Sequence, residues 1–196
     1  MIRNTLIELA AAGIFLIPFF LILNACYLHN WKRTAFYTIF GFYLAAILAL
    51  VGFPNISFIT FDLGINLVPF VDIIPDIKNA CLNVLLFVPF GFFLPVLWDN
   101  FRSKQKTVLT GLTASCIIEL SQLFTFRTTD VNDLITNTVG TMLGYYIAKR
   151  ITNNFSNHIL SNPSKRDFYI ICGATAAIMF FLQPFVSSIL WNIILK

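Results

Sequence analysis

Charged side chains are scarce in this sequence. Asp, Glu, Lys and Arg make up 11% of its 196 residues, against about a quarter in an ordinary globular chain. Hydrophobic residues make up 58%, including 22 phenylalanines, and the mean hydropathy is +0.80. A soluble domain of this size leaves too much surface in contact with water to hide so many apolar side chains. The composition therefore predicts an integral membrane protein.

Residues and motifs that commonly carry catalysis or bind metals are also rare. The sequence has two histidines, His29 and His158, and no Ser-His pair, Gly-x-Ser-x-Gly or zinc motif. Its four cysteines fall in different apolar runs without a Cys-x-x-Cys, so we interpret them as packing or lipid-facing residues. We predict no zinc-type metal site, and the sequence leaves any cofactor unknown.

The formal net charge of +4 raises the question of nucleic-acid binding, which basic chains often perform. Here the 13 Lys and Arg residues form short clusters between apolar runs. That pattern is typical of membrane topology signals. We therefore predict no nucleic-acid partner and take the lipid bilayer as the main partner.

Six apolar runs approach the roughly 20 residues that a helix needs to cross a bilayer. The predicted fold is an all-α, polytopic membrane helical bundle of about six transmembrane helices, in a single membrane domain over residues 1–196. The fifth run is the weakest, because it is short and begins with polar residues. The predicted spans are residues 5–28, 34–53, 79–98, 107–124, 131–148 and 168–190.

The basic residues predict the orientation of these spans, since Lys and Arg concentrate in cytoplasmic loops. Nine of the 13 lie in the loops after the first, third and fifth spans, whereas most aspartates lie on the other side. Both termini are thus predicted to be extracytoplasmic, in a multi-pass protein of the cell membrane. The nine are Lys32, Arg33, Arg102, Lys104, Lys106, Lys149, Arg150, Lys165 and Arg166.

Polar residues and glycines recur every three to four positions in the fifth span, so they share one helix face. They are Asp130, Asp133, Asn137, Gly140 and Gly144. An aspartate at a span centre costs about 2.5–3.5 kcal/mol, and such groups usually face one another or a cavity. The two glycines allow another helix to approach closely. Helix capping and ligand binding are both open for Asp130, whereas binding is favoured for Asp133 with Asn137.

Glu119 and Gln122, three residues apart near the end of the fourth span, also share a face, and Ser115 lies one turn below. A buried carboxylate needs a partner or becomes protonated. The predicted partner of Glu119 is Arg127, in the connection to the fifth span. A structural pair that fixes this hairpin and a binding or catalytic carboxylate are both open.

The third span contributes Asn83, which we expect to bond to a neighbouring helix or to a ligand. Pro89 and Gly91 predict a bent or thinned backbone at mid-membrane that can line a cavity. The topology puts all of these polar groups near one depth at the outer ends of spans three to five. The candidate binding residues are Asn83, Glu119, Gln122, Arg127, Asp130, Asp133 and Asn137, and the candidate packing positions are Pro89, Gly91, Gly140 and Gly144.

Four motifs follow one another along the sequence. They are Asn66-Leu-Val-Pro69-Phe70, Asn83-Val-Leu-Leu-Phe87-Val-Pro89-Phe90-Gly91-Phe-Phe-Leu-Pro95, Glu119-Leu-Ser-Gln122-Leu-Phe-Thr-Phe-Arg127 and Asp130-Val-Asn-Asp133-Leu-Ile-Thr-Asn137-Thr-Val-Gly140-Thr-Met-Leu-Gly144-Tyr145. In order and spacing they resemble the VanZ-like family of bacterial membrane proteins over residues 66–146, the predicted VanZ-like core, whereas the additional C-terminal transmembrane helix at 168–190 lies outside it. The resemblance implies a link to reduced sensitivity toward glycopeptide antibiotics, teicoplanin above all.

Three functions fit these features. The favoured one is a protein that binds or modifies an envelope amphiphile, such as a lipoglycopeptide or a lipid-linked wall precursor, at the outer leaflet. The second is an enzyme of envelope lipid metabolism in which Glu119, Asp130 and Asp133 supply acid/base groups or Mg²⁺ ligands. The third is a transporter or a non-catalytic accessory subunit, although the repeats typical of secondary transporters are not visible.

Overall fold

The computed structural model describes residues 2–57, 59–61, 64–66, 68–70, 76–125, 129–152 and 163–194. Six helical rods account for most of these residues, and each predicted span coincides with one rod to within four residues at either end. The helices are α1 (Ile2–Leu23), α2 (Trp31–Val51), α3 (Ile77–Leu97), α4 (Lys104–Gln122), α5 (Val131–Ile151), α6 (Lys165–Ala177) and α7 (Gln183–Ile194). A π-helical segment, Asn24–Leu28, extends α1 to form the first rod, and a second, Ile178–Leu182, joins α6 and α7 into the sixth rod.

Within the described residues, four rods are long and apolar enough to cross a membrane. They are Arg3–Leu28, Trp31–Val51, Ile77–Leu97 and Lys165–Ile193. The helices α4 and α5 have 19 and 21 residues, close to the length of a span, but their composition is less apolar. The all-α membrane fold is confirmed, whereas six spans with both termini outside stay a prediction.

The chain divides into two compact units. The first unit comprises Met1–Thr60 and Arg166–Lys196, and the second comprises Phe61–Lys165. In the first unit α1 packs against α2 and α7 around buried aromatic rings that include Phe20, Tyr37 and Phe40. Asn30 begins α2 as its N-cap, because its side-chain oxygen accepts a hydrogen bond from the Arg33 amide at 3.0 Å.

The second unit is built on backbone contact between α3 and α5. A Cβ added at Gly140 would lie 2.3 Å from the Val84 carbonyl oxygen, and one added at Gly144 would lie 2.0 Å from that of Val88. On the α3 side, a Cβ at Gly91 would lie 1.9 Å from the Thr141 carbonyl oxygen. Small residues at helix crossings permit this approach in membranes. Pro89 lies inside α3, which is continuous over 21 residues, and a bend there stays a prediction.

Helix α4 also packs against α5. Gly111 makes room for the Thr141 side chain, whose hydroxyl oxygen lies 2.3 Å from an added Cβ. A short parallel strand pair lies at the end of the unit where α5 begins. Strand β1 (Ile65–Asn66) pairs with β2 (Thr129–Asp130), which leads directly into α5. The second unit therefore brings the start of α3, the end of α4 and the start of α5 together.

Candidate functional site

Glu119 connects α4 to the start of α5. Its carboxylate Oε2 accepts a hydrogen bond from the Asp130 backbone amide at 3.0 Å, and its carbonyl oxygen accepts one from the Thr129 hydroxyl at 3.0 Å. The Glu119 side chain is buried, and a buried polar group needs a hydrogen-bond partner of this kind. Arg127, the predicted partner of Glu119, lies outside the described residues, so the structure adds a backbone partner that the sequence did not indicate.

Asp130 is the N-cap of α5. Its Oδ1 accepts hydrogen bonds from the Asn132 backbone amide at 2.8 Å and from the Asn132 side chain at 2.9 Å. Its Oδ2 accepts a third from Asn66 Nδ2 at 3.3 Å. An acidic N-cap satisfies helix amides that otherwise lack partners and favours the helix dipole. The capping role that the sequence left open is thus present, and the Asp130 side chain uses both carboxylate oxygens.

Asp133 joins α5 to α3. Its Oδ1 accepts a hydrogen bond from Asn83 Nδ2 at 2.6 Å, across the interface that the glycines hold together. Both side chains are half-buried, and Asp133 lies in the first turn of α5, where a negative charge is favourable. Of the two partners expected for Asn83, a neighbouring helix or a ligand, the structure therefore shows the neighbouring helix.

Asn137 lies deeper at the same end, whereas Gln122 lies at the very end of α4. Asn137 is 3% exposed, and its Nδ2 donates to the Ser115 hydroxyl oxygen on α4 at 2.9 Å. Its Oδ1 has no hydrogen-bond partner among the described residues. Gln122 is buried at the last turn of α4, and its carbonyl oxygen accepts from the Thr125 hydroxyl at 3.0 Å. The hydrogen bond between Asn137 and Ser115 thus links α5 to α4 in a buried position deeper than Asp130 and Asp133.

The Ser115–Asn137 hydrogen bond is expected to couple α4 to α5 energetically. Ser115→Ala leaves the buried Asn137 amide without its acceptor, which should cost about 1–3 kcal/mol of unfolding free energy. The double variant Ser115→Ala, Asn137→Leu removes both polar groups and should lose less than the sum of the two single variants. Thermal unfolding of the full chain in one detergent measures all three.

Ser121→Ala is the matched control, because the Ser121 hydroxyl donates within its own helix, to the Ile118 carbonyl oxygen at 2.6 Å. It should change the unfolding free energy by about 0.5 kcal/mol or less. Strictly additive losses in the Ser115 and Asn137 variants would show that the pair carries no coupling.

Asn132 was not among the predicted site residues. It is buried, its Oδ1 accepts from the Phe70 amide at 2.7 Å, and its Nδ2 donates to the Val68 carbonyl oxygen at 3.4 Å. It therefore holds the segment that follows β1 against the start of α5. Its place in the Asp130-Val-Asn-Asp133 motif was visible, but it stands off the three-to-four-residue stripe that guided the prediction.

Comparison with known proteins identifies the family, which the geometry alone does not. A family model described as VanZ/LLP1 matches residues 36–153, more than half of the chain. The chain belongs to the VanZ/LLP1 family. It is also 35% identical over 82 residues to Protein VanZ of Enterococcus faecium, which covers 41% of this chain and 50% of that protein. The chain thus matches about half the length of this relative, and no solved structure matches it.

The family match confirms the resemblance and the assignment to a multi-pass protein of the cell membrane. The matched range begins at residue 36, within α2, and ends at residue 153, before α6. It is therefore longer than residues 66–146, where the motifs were found. Every candidate site residue of this VanZ/LLP1 protein lies inside it.

The site as a whole consists of hydrogen-bond acceptors grouped around the start of α5. Each of the three carboxylates accepts a hydrogen bond from a protein donor. Among the residues that the structure describes, no three His, Cys, Asp or Glu side chains are grouped so that they could hold a metal ion. The arrangement fixes three helix ends and presents half-buried carboxylate and amide groups to the surface.

Proposed function

We propose that this VanZ/LLP1 protein binds a cell-envelope amphiphile at the outer leaflet of the cell membrane. The ligand class is a lipoglycopeptide such as teicoplanin, or a lipid-linked wall precursor, and the proposal carries the family's link to glycopeptide resistance. The binding surface is the polar end of the second unit, formed by Asn83, Glu119, Gln122, Arg127, Asp130, Asp133 and Asn137. Arg127 is included because of its place in the sequence between Glu119 and Asp130.

The observation that carries this proposal is the convergence of polar groups from three helices. Hydrogen bonds from Asn83 to Asp133 and from the Asp130 amide to Glu119 bring the start of α3 and the end of α4 to the start of α5. A carboxylate can accept about four hydrogen bonds, and three protein donors reach Asp130. The hydroxyl, amide and ammonium groups of a glycopeptide or a sugar-bearing lipid are donors for such a surface.

Charge distribution supports the outer location. Lys104 and Lys106 begin α4, and Lys149 and Arg150 lie in the last turn of α5, so basic residues occupy the end of these helices opposite the carboxylates. Because basic helix ends favour the cytoplasmic side, this distribution of charge supports a position of the polar end in the outer leaflet.

Apolar side chains beside the polar end support an amphiphile as the ligand. Leu85 on α3 and Ile117 and Leu120 on α4 are all exposed. They lie within two residues of Asn83 or Glu119, at a similar depth but on other faces of the helices. An acyl chain in the outer leaflet can lie against these side chains while its head group meets the carboxylates.

The test removes charge and keeps the fold. In the double variant Asp130→Asn, Asp133→Asn, the amide side chain introduced at position 130 remains a good N-cap, and the one introduced at position 133 can still accept from Asn83. We expect this double variant, measured in nanodiscs with a fluorescent teicoplanin, to bind at least about tenfold more weakly, because hydrogen bonds to two charged acceptors become bonds to neutral ones, each weaker by about 1 kcal/mol. A separate Arg127→Ala variant, measured in the same assay, tests whether the side chain at position 127 contributes to ligand binding.

Asp99→Asn is the matched control, because Asp99 lies in the connection between α3 and α4, at the opposite end of the second unit. It should bind as the wild type does. Equal affinity of the double variant and the wild type would refute the binding proposal.

The hydrogen bonds of the carboxylates also favour a second candidate, a non-catalytic accessory membrane subunit. Glu119, Asp130 and Asp133 all bond to groups of the protein itself, which is what a purely structural hairpin requires. Under this candidate the Asp130→Asn, Asp133→Asn variant binds no less ligand and fully complements a deletion strain.

A further inference from the structure

The start of α4 lies against the last turns of α5, at the end of the second unit opposite the carboxylates. Lys104, the first residue of α4, holds its Nζ over the Tyr146 ring, 5.3 Å from the ring centroid, which is within the range of a cation–π contact. The neighbouring Tyr145 hydroxyl donates to the Arg102 carbonyl oxygen at 3.0 Å. Two contacts therefore hold the start of α4 beside the stretch of α5 that contains Tyr146.

Two more cations follow Tyr146 on α5. Lys149 and Arg150 come three and four residues after Tyr146, and side chains at these spacings are neighbours on a helix surface, about one turn apart. Lys104, Lys149 and Arg150 are all exposed. One tyrosine ring thus has a cation from α4 over it and two cations from its own helix beside it, all within a single compact unit.

Acidic side chains do not neutralise these cations in the part of the second unit that the structure describes. The acidic residue described at this end is Asp99, whose Oδ1 lies 2.9 Å from Arg102 Nη2. The other described carboxylates of the unit lie at the opposite end, at the starts of α3 and α5 and near the end of α4. Residues 153–165, which follow α5, include no Asp or Glu in the sequence. The surface around Tyr146 is therefore positive.

Exposed side chains form one stripe along α5 that ends at these cations. Val139, Leu143, Tyr146 and Arg150 are spaced 4, 3 and 4 residues apart, so they share one helix face, and all four are exposed. Along the helix the stripe is first apolar, then aromatic, then basic. Tyrosine concentrates where a membrane meets water, and basic side chains just beyond that level attract anionic lipids. The stripe thus has the same order as a phospholipid's acyl chain, interface and phosphate.

We propose that Lys104, Lys149 and Arg150, with Tyr146 between them, bind the phosphate of an anionic glycerophospholipid in the cytoplasmic leaflet, the side that basic helix ends favour. We call these four residues the α4–α5 basic surface. Its cations bind the phosphodiester, its ring lies at the level of the glycerol esters, and the apolar part of the stripe contacts an acyl chain. The proposed amphiphile site lies at the opposite end of the second unit and needs none of these residues.

The test compares lipid retention by two variants with equal charge loss. The full chain, purified in a mild detergent, is titrated with phosphatidylglycerol or phosphatidylcholine, and bound lipid is counted by native mass spectrometry. The wild type should prefer phosphatidylglycerol. Lys104→Gln, Lys149→Gln, Arg150→Gln should lose that preference by about tenfold or more, given the attraction of each basic side chain near an anionic lipid.

Lys32→Gln, Lys78→Gln, Lys106→Gln is the matched control, since it removes three exposed cations that lie outside the α4–α5 basic surface. Lys106 is the closest of them, but residues two apart do not share a helix face, so Lys106 and Lys104 point in different directions from α4. This variant should keep the preference for phosphatidylglycerol. Equal losses in the two glutamine variants would overturn the proposal, because general charge would then explain the binding.

A third variant keeps the charge and changes the side chains. Lys104→Arg, Lys149→Arg, Arg150→Lys should retain phosphatidylglycerol as the wild type does, which guards against a glutamine variant that fails to fold. A wild type that retains both lipids equally would refute the site. Displacement of the lipid by inorganic phosphate alone would also refute it, because the surface would then bind a bare anion.

Discussion

Gly144→Ala is expected to lower the unfolding free energy of the chain by about 3 kcal/mol, at the upper end of what overpacking costs. The added methyl carbon would lie 2.0 Å from the Val88 carbonyl oxygen and 2.7 Å from the Phe92 amide nitrogen. Both are backbone atoms of α3, so neither can swing away as a flexible side chain could. Alanine favours a helix by up to about 1 kcal/mol over glycine, so any loss must come from the contact with α3.

Gly173→Ala is the matched control for this substitution. Gly173 lies within α6, and a Cβ added there meets nothing within 4 Å. The variant should be as stable as the wild type or gain up to about 1 kcal/mol. Thermal unfolding of both variants in the same detergent makes the comparison, and equal stability of Gly144→Ala and Gly173→Ala would disprove the backbone contact between α3 and α5.

The positions of the helices could be predicted because hydrophobicity and length determine them locally. The six predicted spans coincide with the six rods, since an apolar run of about 20 residues has few other folds open to it in a membrane. The glycines at 140 and 144 likewise predicted that some helix could approach α5. Which helix does so depends on the three-dimensional packing, where Gly91 and the carbonyl groups of Val84 and Val88 complete the contact.

The candidate site was predictable only where its partners are side chains on regular helix faces. Asp133 and Asn83 meet from two such faces. The acceptor role of Glu119 was not predictable, because its partner is a backbone amide, which every residue except proline has and no sequence pattern marks. Asn132 was missed for a related reason, since it binds a loop backbone from a position off the polar stripe.

Asp167 shows the same limit in the first unit. In the sequence it is one acidic residue after two basic ones at the start of an apolar run, which indicates an ordinary solvated helix end. In the structure Asp167 is 2% exposed, and it accepts hydrogen bonds from the Tyr27 and Tyr37 hydroxyls, 140 and 130 residues away along the chain. Without the packing of α2 against the first rod, nothing distinguishes it from a surface carboxylate.

Asp167→Ala is expected to cost about 3–5 kcal/mol of unfolding free energy, the range for removing one member of a buried charged pair. The substitution removes the acceptor of the fully buried Tyr37 hydroxyl and a carboxylate that lies 4.0 Å from Arg33, whose side chain is 16% exposed. Asp167→Asn, which keeps an acceptor oxygen and loses the charge, should fall between Asp167→Ala and the wild type. Thermal unfolding of the full chain in one detergent measures the series.

Asp99→Ala provides the contrast that isolates burial. Asp99 Oδ1 lies 2.9 Å from Arg102 Nη2, closer than Asp167 lies to Arg33, but the Asp99 side chain is 46% exposed. Water and salt screen an exposed pair, so its removal should cost about 1 kcal/mol or less. The shorter ion pair should therefore contribute less stability than the longer one, because Asp167 is shielded from water and bonded to two tyrosines. Equal destabilisation by Asp99→Ala and Asp167→Ala would mean that burial does not set the strength of these contacts.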